Sequence, residues 1–116
     1  MKRLQRSLLL VLLGCAQVCD AQVLAVFKYD GGGDWYANPT ALKNLSKFYN
    51  KNTDAKSLVR SEPATAESLL ISGVSFLHAT GHGRIILSET HADQLRLFTD
   101  NGGFLHIDDT YGMSSY

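Results

Sequence analysis

The chain has 116 residues, and its 11 Lys and Arg balance 11 Asp and Glu, for a formal charge of zero at pH 7. That length leaves room for one domain, and the absence of net charge or of a basic cluster past the first residues argues against nucleic acid as a partner. Both cysteines, Cys15 and Cys19, fall in the first 21 residues. Without that segment the domain has no disulfide framework, thiolate metal site or cysteine nucleophile.

Residues 1–21 have the layout of a secretory signal. Lys2, Arg3 and Arg6 form a basic start, Leu8 to Leu13 a short apolar core, and Cys19-Asp20-Ala21 the small residues before a cleavage that leaves Gln22 as the mature start. The apolar run is far shorter than the roughly 20 residues a spanning helix needs, so no transmembrane helix is expected in the mature chain. Leu12-Leu13-Gly14-Cys15 also approximates a bacterial lipobox, which would make Cys15 a lipid anchor, although Leu13 is larger than such sites usually take. Either route exports the domain, residues 22–116, to the periplasm or the outer envelope.

Val23 to Tyr29 (VLAVFKY) is apolar, β-branched and aromatic, as suits a strand buried on both faces of a parallel sheet. Gly31-Gly32-Gly33 ends it. Asn38 offers a helix cap, Pro39 fits a first turn, and Leu42, Leu45, Phe48 and Tyr49 recur at helical spacing. Ala55 to Glu62 (AKSLVRSE), closed by Pro63, is a weak strand of the kind found at a sheet edge, and Glu67 to Ser72 holds a helical turn or two.

Val74 to Ala79 (VSFLHA) is a further strand, broken at Gly81-His82-Gly83. A second helix begins at Ser88, with Ala92, Leu95 and Phe98 on one face and a stop at Asn101-Gly102-Gly103; Phe104 to Ile107 follows as a strand. Strands alternating with helices through short glycine turns predict an open parallel α/β sheet with helices on its faces. The chain stops soon after its last strand, with Met113 to Tyr116 and no further helix, so the expected layout is incomplete at its C-terminal end.

Ligands of such sheets bind outside the carboxyl ends of the strands, where three clusters fall: Asp30 to Tyr36, His78 to His82, and His106 to Asp109. The glycine loop lacks the Gly-Lys-Ser/Thr of a P-loop, and Tyr36 stands where a dinucleotide fingerprint needs a glycine. It can expose backbone N–H groups to an anion, or serve only as a turn that folds Trp35 and Tyr36 over the sheet edge. His82, between two glycines, is either an accessible imidazole for proton transfer or metal binding, or a solvated turn residue. His78, on a strand with Val74 and Phe76, is expected to be buried and hydrogen-bonded.

Period two sends His106 and Asp108 to one side of the last strand and Ile107 and Asp109 to the other. Adjacent carboxylates ending an apolar strand need water, N–H groups, a cation or each other, or else one of them caps the next turn.

KYDGGGDWYANPTALKNL, FLHATGHG and NGGFLHIDDTYGM, in this order, resemble the family known as domain of unknown function 4159, over essentially all of the mature chain. The resemblance implies a flavodoxin-like, three-layer fold similar to class I glutamine amidotransferase-like domains, and a domain that usually continues beyond the HIDD motif. Two positions depart from the family pattern: His78 stands where an aromatic or apolar residue is usual, and Thr110 where Asn is. Asp108 and Asp109 occupy the neighbourhood of the amidotransferase cysteine, so thiol-based amide hydrolysis is not carried over.

Three functions follow as expectations. The first is a binding module for a small polar or saccharide-like ligand, lined by Asp30, Gly31, Gly32, Gly33, Asp34, Trp35, Tyr36, Gly81, Gly83, Thr110 and Tyr111, with the aromatics as stacking surfaces. The second is an acid/base or metal-assisted hydrolase using His82, Asp108 and Asp109, with His82, His106 and Asp108 as ligands of a divalent metal. The third is a structural domain of an envelope complex.

Overall fold

The structure, a computed structural model, describes residues 21–109; the expected leader and anchor, Thr110 and Tyr111 lie outside these. Among the described residues four strands form one sheet in the order β2-β1-β3-β4: β1 Gln22–Val26, β2 Ser57–Val59, β3 Phe76–Gly81 and β4 Phe104–Asp109. All three pairings are parallel. This is the open parallel α/β sheet expected, in the order with which flavodoxin-like sheets begin.

Helix α1, Ala41–Asn52, connects β1 to β2, and helix α2, Glu89–Asp100, connects β3 to β4, with a 3-10 turn at Leu69–Ile71 between β2 and β3. Strand alternation splits the apolar residues between two faces. Ala25, Phe27, Leu77 and Ala79 pack with Leu69, Leu95 and Phe98 into the main core, on the side of α2 and the 3-10 turn. Leu77 is fully buried, a position worth about 1.5–3 kcal/mol of transfer free energy. On the other face Leu24 shares a cleft with Leu45 and Tyr49 of α1.

Several boundaries differ from expectation. The weak strand shrinks to Ser57–Val59, although Lys56 O still accepts from the Gln22 N–H and the Arg60 N–H still donates to Leu24 O, and it does sit at the sheet edge. Asn38 is not the cap of α1: the N-cap is Thr40, without a side-chain hydrogen bond. Asn38 instead adopts φ 58° and its Nδ2 donates to Thr80 Oγ1 at 2.9 Å, tying the loop to β3. The Asn-Pro step thus builds a left-handed turn one residue pair before the helix, a conformation Asn tolerates better than most side chains. Ser88 does cap α2, its Oγ accepting from the His91 N–H at 3.1 Å.

Candidate functional site

The connection leaving β1 goes to β2 on one side, while β3 leads to β4 on the other. The carboxyl ends of β1 and β3 therefore flank the point where strand order reverses, the usual crevice of this architecture. Past β1 the chain stays close to the sheet: Phe27 N–H donates to His78 O, and Lys28 N–H to Ala64 O, both at 2.8 Å. Tyr29 is buried and its hydroxyl donates to Thr80 O at 2.9 Å. Burial, and secondarily the Asp34 charge, push its phenol above its ordinary pKa.

The glycines answer to this packing. A Cβ on Gly31 would lie 2.6 Å from Arg84 O and 2.8 Å from Ile86 N, where Ile86 N–H donates to Asp30 O. A Cβ on Gly81 would lie 2.5 Å from Tyr29 Oη and 2.8 Å from Asp34 O. Both contacts are with protein atoms, so here glycine admits a neighbouring loop.

The outcome is a close pairing of Asp34 with His82. Asp34 Oδ1 accepts a short hydrogen bond from the His82 backbone N–H, Oδ2 stands 3.0 Å from His82 Nδ1, and Asp34 N–H donates to His82 O at 3.3 Å. The His82 N–H, and then its imidazole, hold the Asp34 carboxyl below its ordinary pKa. An ionised carboxylate only accepts hydrogen bonds, so Nδ1 carries the proton and the lone pair of neutral His82 lies on Nε2. The His82 side chain is 53% exposed, which presents that lone pair to a ligand.

Residues 23–116 match the family described as Domain of unknown function (DUF4159). The chain belongs to this family. No curated protein matches it.

In this DUF4159 chain the remaining candidates separate into distinct hollows. Trp35 and Tyr36, rings 5.5 Å apart and edge to face, line a groove of about 450 Å³ with Ala37, Pro39 and Arg60. Lys28 Nζ lies 5.5 Å from the Trp35 ring centre, within cation–π range. Asp108 and Asp109 line an open trough of about 770 Å³ with His78 and His106, on the α1 side of the sheet. His82 lines neither hollow.

The expected metal set of His82, His106 and Asp108 is not assembled. Among the described residues no three His, Cys, Asp or Glu side chains are grouped as metal ligands would be. Strand geometry explains the split: Gly81 pairs with Asp109 across β3 and β4, so His82 has already left the sheet and turned toward Asp34. His106 faces His78 instead, their Nδ1 atoms 3.0 Å apart, and His78 is buried as expected. Desolvation, then the neighbouring His106, lowers the His78 pKa against an opposing pull from Asp108.

Asp30 belongs to another polar cluster that sequence reasoning missed. His91 Nε2 meets Glu67 Oε1 at 2.5 Å while its Nδ1 lies 3.8 Å from Asp30 Oδ2. The carboxylates approach opposite ring nitrogens, so they clamp the imidazole between two loops without converging on one point. The Glu67 carboxyl is held below its ordinary pKa by its own backbone N–H, by Thr65 and by His91. The only sequence signal was a histidine in the first turn of α2, three residues after its cap. No helix among the described residues is long and apolar enough to cross a membrane.

Proposed function

We propose that this is an exported domain whose crevice between the carboxyl ends of β1 and β3 binds a small polar or saccharide-like ligand. His82 Nε2 accepts a hydrogen bond from it, while Trp35 and Tyr36 line a separate groove that begins one residue past Asp34. The 3.0 Å contact of Asp34 Oδ2 with His82 Nδ1 carries the proposal, because it orients a half-exposed imidazole at the switch point of the sheet. Trp35 is the single tryptophan of the chain and directly follows Asp34, so its fluorescence reports on the loop that holds His82. Titration with a panel of neutral and acidic monosaccharides should give a saturable change with at least one, lost in His82→Ala at unchanged circular dichroism. A flat response to every member, or a response that survives His82→Ala, overturns the assignment.

The same contact favours acid/base hydrolysis as a second reading, now with His82 as the base and Asp34 its partner, where the sequence reading made Asp108 or Asp109 the base or ligand and His82 the partner. Nε2 would take a proton from water as it attacks. Turnover of a chromogenic ester or glycoside that falls in both His82→Ala and Asp34→Asn, yet persists in Asp108→Asn, would select it over binding alone.

A further inference from the structure

Arg60 directly follows β2, and its backbone is fixed as a strand residue's would be, its N–H donating to Leu24 O at 2.9 Å. The side chain has no such anchor. It lines the groove of about 450 Å³ shared with Trp35 and Tyr36, and among the described residues its Nη1 is shut off from solvent without a hydrogen-bond partner. The ion pairs among those residues engage His82, His91 and Arg96, and none reaches Arg60, although the exposed Glu62 lines the same groove. Arginine stays charged at any physiological pH, so a shielded guanidinium with no partner raises the free energy of the empty groove. An anion that pairs with it lowers that free energy.

The rest of the groove says what kind of anion. Every wall belongs to described residues, at the ends of β1 and β2 on the side of the sheet away from β4. Val26, Leu42, Pro39 and Pro63 give it apolar surface, and Lys43 with Arg60 outweighs the one acid, Glu62. The walls are held before anything binds: Ala64 N–H donates to Val26 O at 2.8 Å, Ala41 N–H to Asn38 O at 3.0 Å, and Asn38 Nδ2 to Thr80 Oγ1. Such a preformed space has the size of a small-molecule site. Its two aromatic side chains suit a flat ring, and the planar fork of an arginine suits a carboxylate, which the long and untethered side chain can turn to meet. We propose that this groove is a second binding site, separate from the His82 crevice, for a small aromatic carboxylic acid, with the ring against Trp35 and Tyr36 and the carboxylate on Arg60.

Isothermal titration calorimetry of the full chain with cinnamate tests this. Saturable one-to-one binding is expected, with the uncharged cinnamamide about tenfold weaker or worse. Arg60→Gln should weaken cinnamate about 10- to 100-fold, and Arg60→Lys should recover only part of that, because it keeps the charge and loses the fork. His82→Ala should leave the affinity unchanged, which separates this site from the crevice. Arg60→Met reads the same feature without a ligand: removal of an unpartnered charge should leave the melting temperature level or raise it. Absence of cinnamate binding up to millimolar concentration overturns the proposal, as does equal affinity for acid and amide, or binding that survives Arg60→Gln. So does a marked fall in the melting temperature of Arg60→Met, which would give the guanidinium a partner within the chain.

Discussion

Replacing Gly81 by alanine tests whether the loops after β1 and β3 depend on each other as closely as the packing indicates. Gly81 has φ 141°, a region that side chains rarely enter, at a cost of about 1–3 kcal/mol. The added Cβ would also stand 2.5 Å from Tyr29 Oη and 2.8 Å from Asp34 O. Tyr29 is buried and anchored to Thr80 O, and Asp34 O is backbone that accepts from the Ala37 N–H, so neither yields by a side-chain rotation. Overpacking of this kind adds about 1–3 kcal/mol. The two together give about 4 kcal/mol, a large share of the roughly 5–15 kcal/mol that holds a domain folded. For a domain of this size each kcal/mol lowers the melting temperature by about 4–8 °C. Thermal unfolding followed by circular dichroism should therefore show Gly81→Ala melting some ~15–30 °C below the parent. Gly32→Ala is the control, since Gly32 also has positive φ, 82°, but a Cβ there meets nothing within 4 Å. Its loss should stay near ~1–2 kcal/mol, the backbone cost alone. If the two variants melt within a few degrees of each other, the close packing of Tyr29 and Asp34 against Gly81 is not what holds these loops together.

Two further predictions concern pH. The His78 pKa is lowered in the folded chain, so its stabilisation is complete above the unfolded value of about 6.5 and is lost as pH falls from there through the folded value. His78→Phe should remove that slope, so that chemical denaturation midpoints at pH 7 and pH 5.5 draw together; an unchanged slope places the titrating group elsewhere. Asp34 is also depressed, and its contribution is present above the unfolded value of about 3.9 and disappears as pH falls through the folded value. Asp34→Asn should flatten the acid limb of the stability curve below about pH 4 and leave the His78 slope intact, and acid unfolding indistinguishable from the parent would contradict the pairing with His82.

Much of the fold is legible because it depends on local patterns. The apolar run after Gln22, the Ser88 cap and the Gly102 stop each act within a few residues, and the structure places elements at all three. The site is less legible because it depends on register. Asp34 and His82 are 48 residues apart, and the pairing of β1 with β3, which sets Val26 beside His78, brings the two loops level. Sequence grouped His82 with Asp108 because both end strands, but side chains at strand ends diverge with the pleat and with the turn that follows. Asn38 misled for a different reason: the residue type that caps a helix also accepts positive φ, and the decision lay with Thr80, 42 positions away.

The placement of β1 has a consequence for how the chain assembles. It is the first strand in sequence and lies between β2 and β3, pairing at Gln22 with Ser57 and at Leu24 with Phe76. Parallel pairing allows no hairpin, so every strand contact closes a loop of tens of residues, which slows folding. β3, α2 and β4 can assemble among themselves, but among the described residues β2 has no strand neighbour other than β1. Until β1 docks, the described strands stay in two separate pieces, β2 with α1 and β3 with β4.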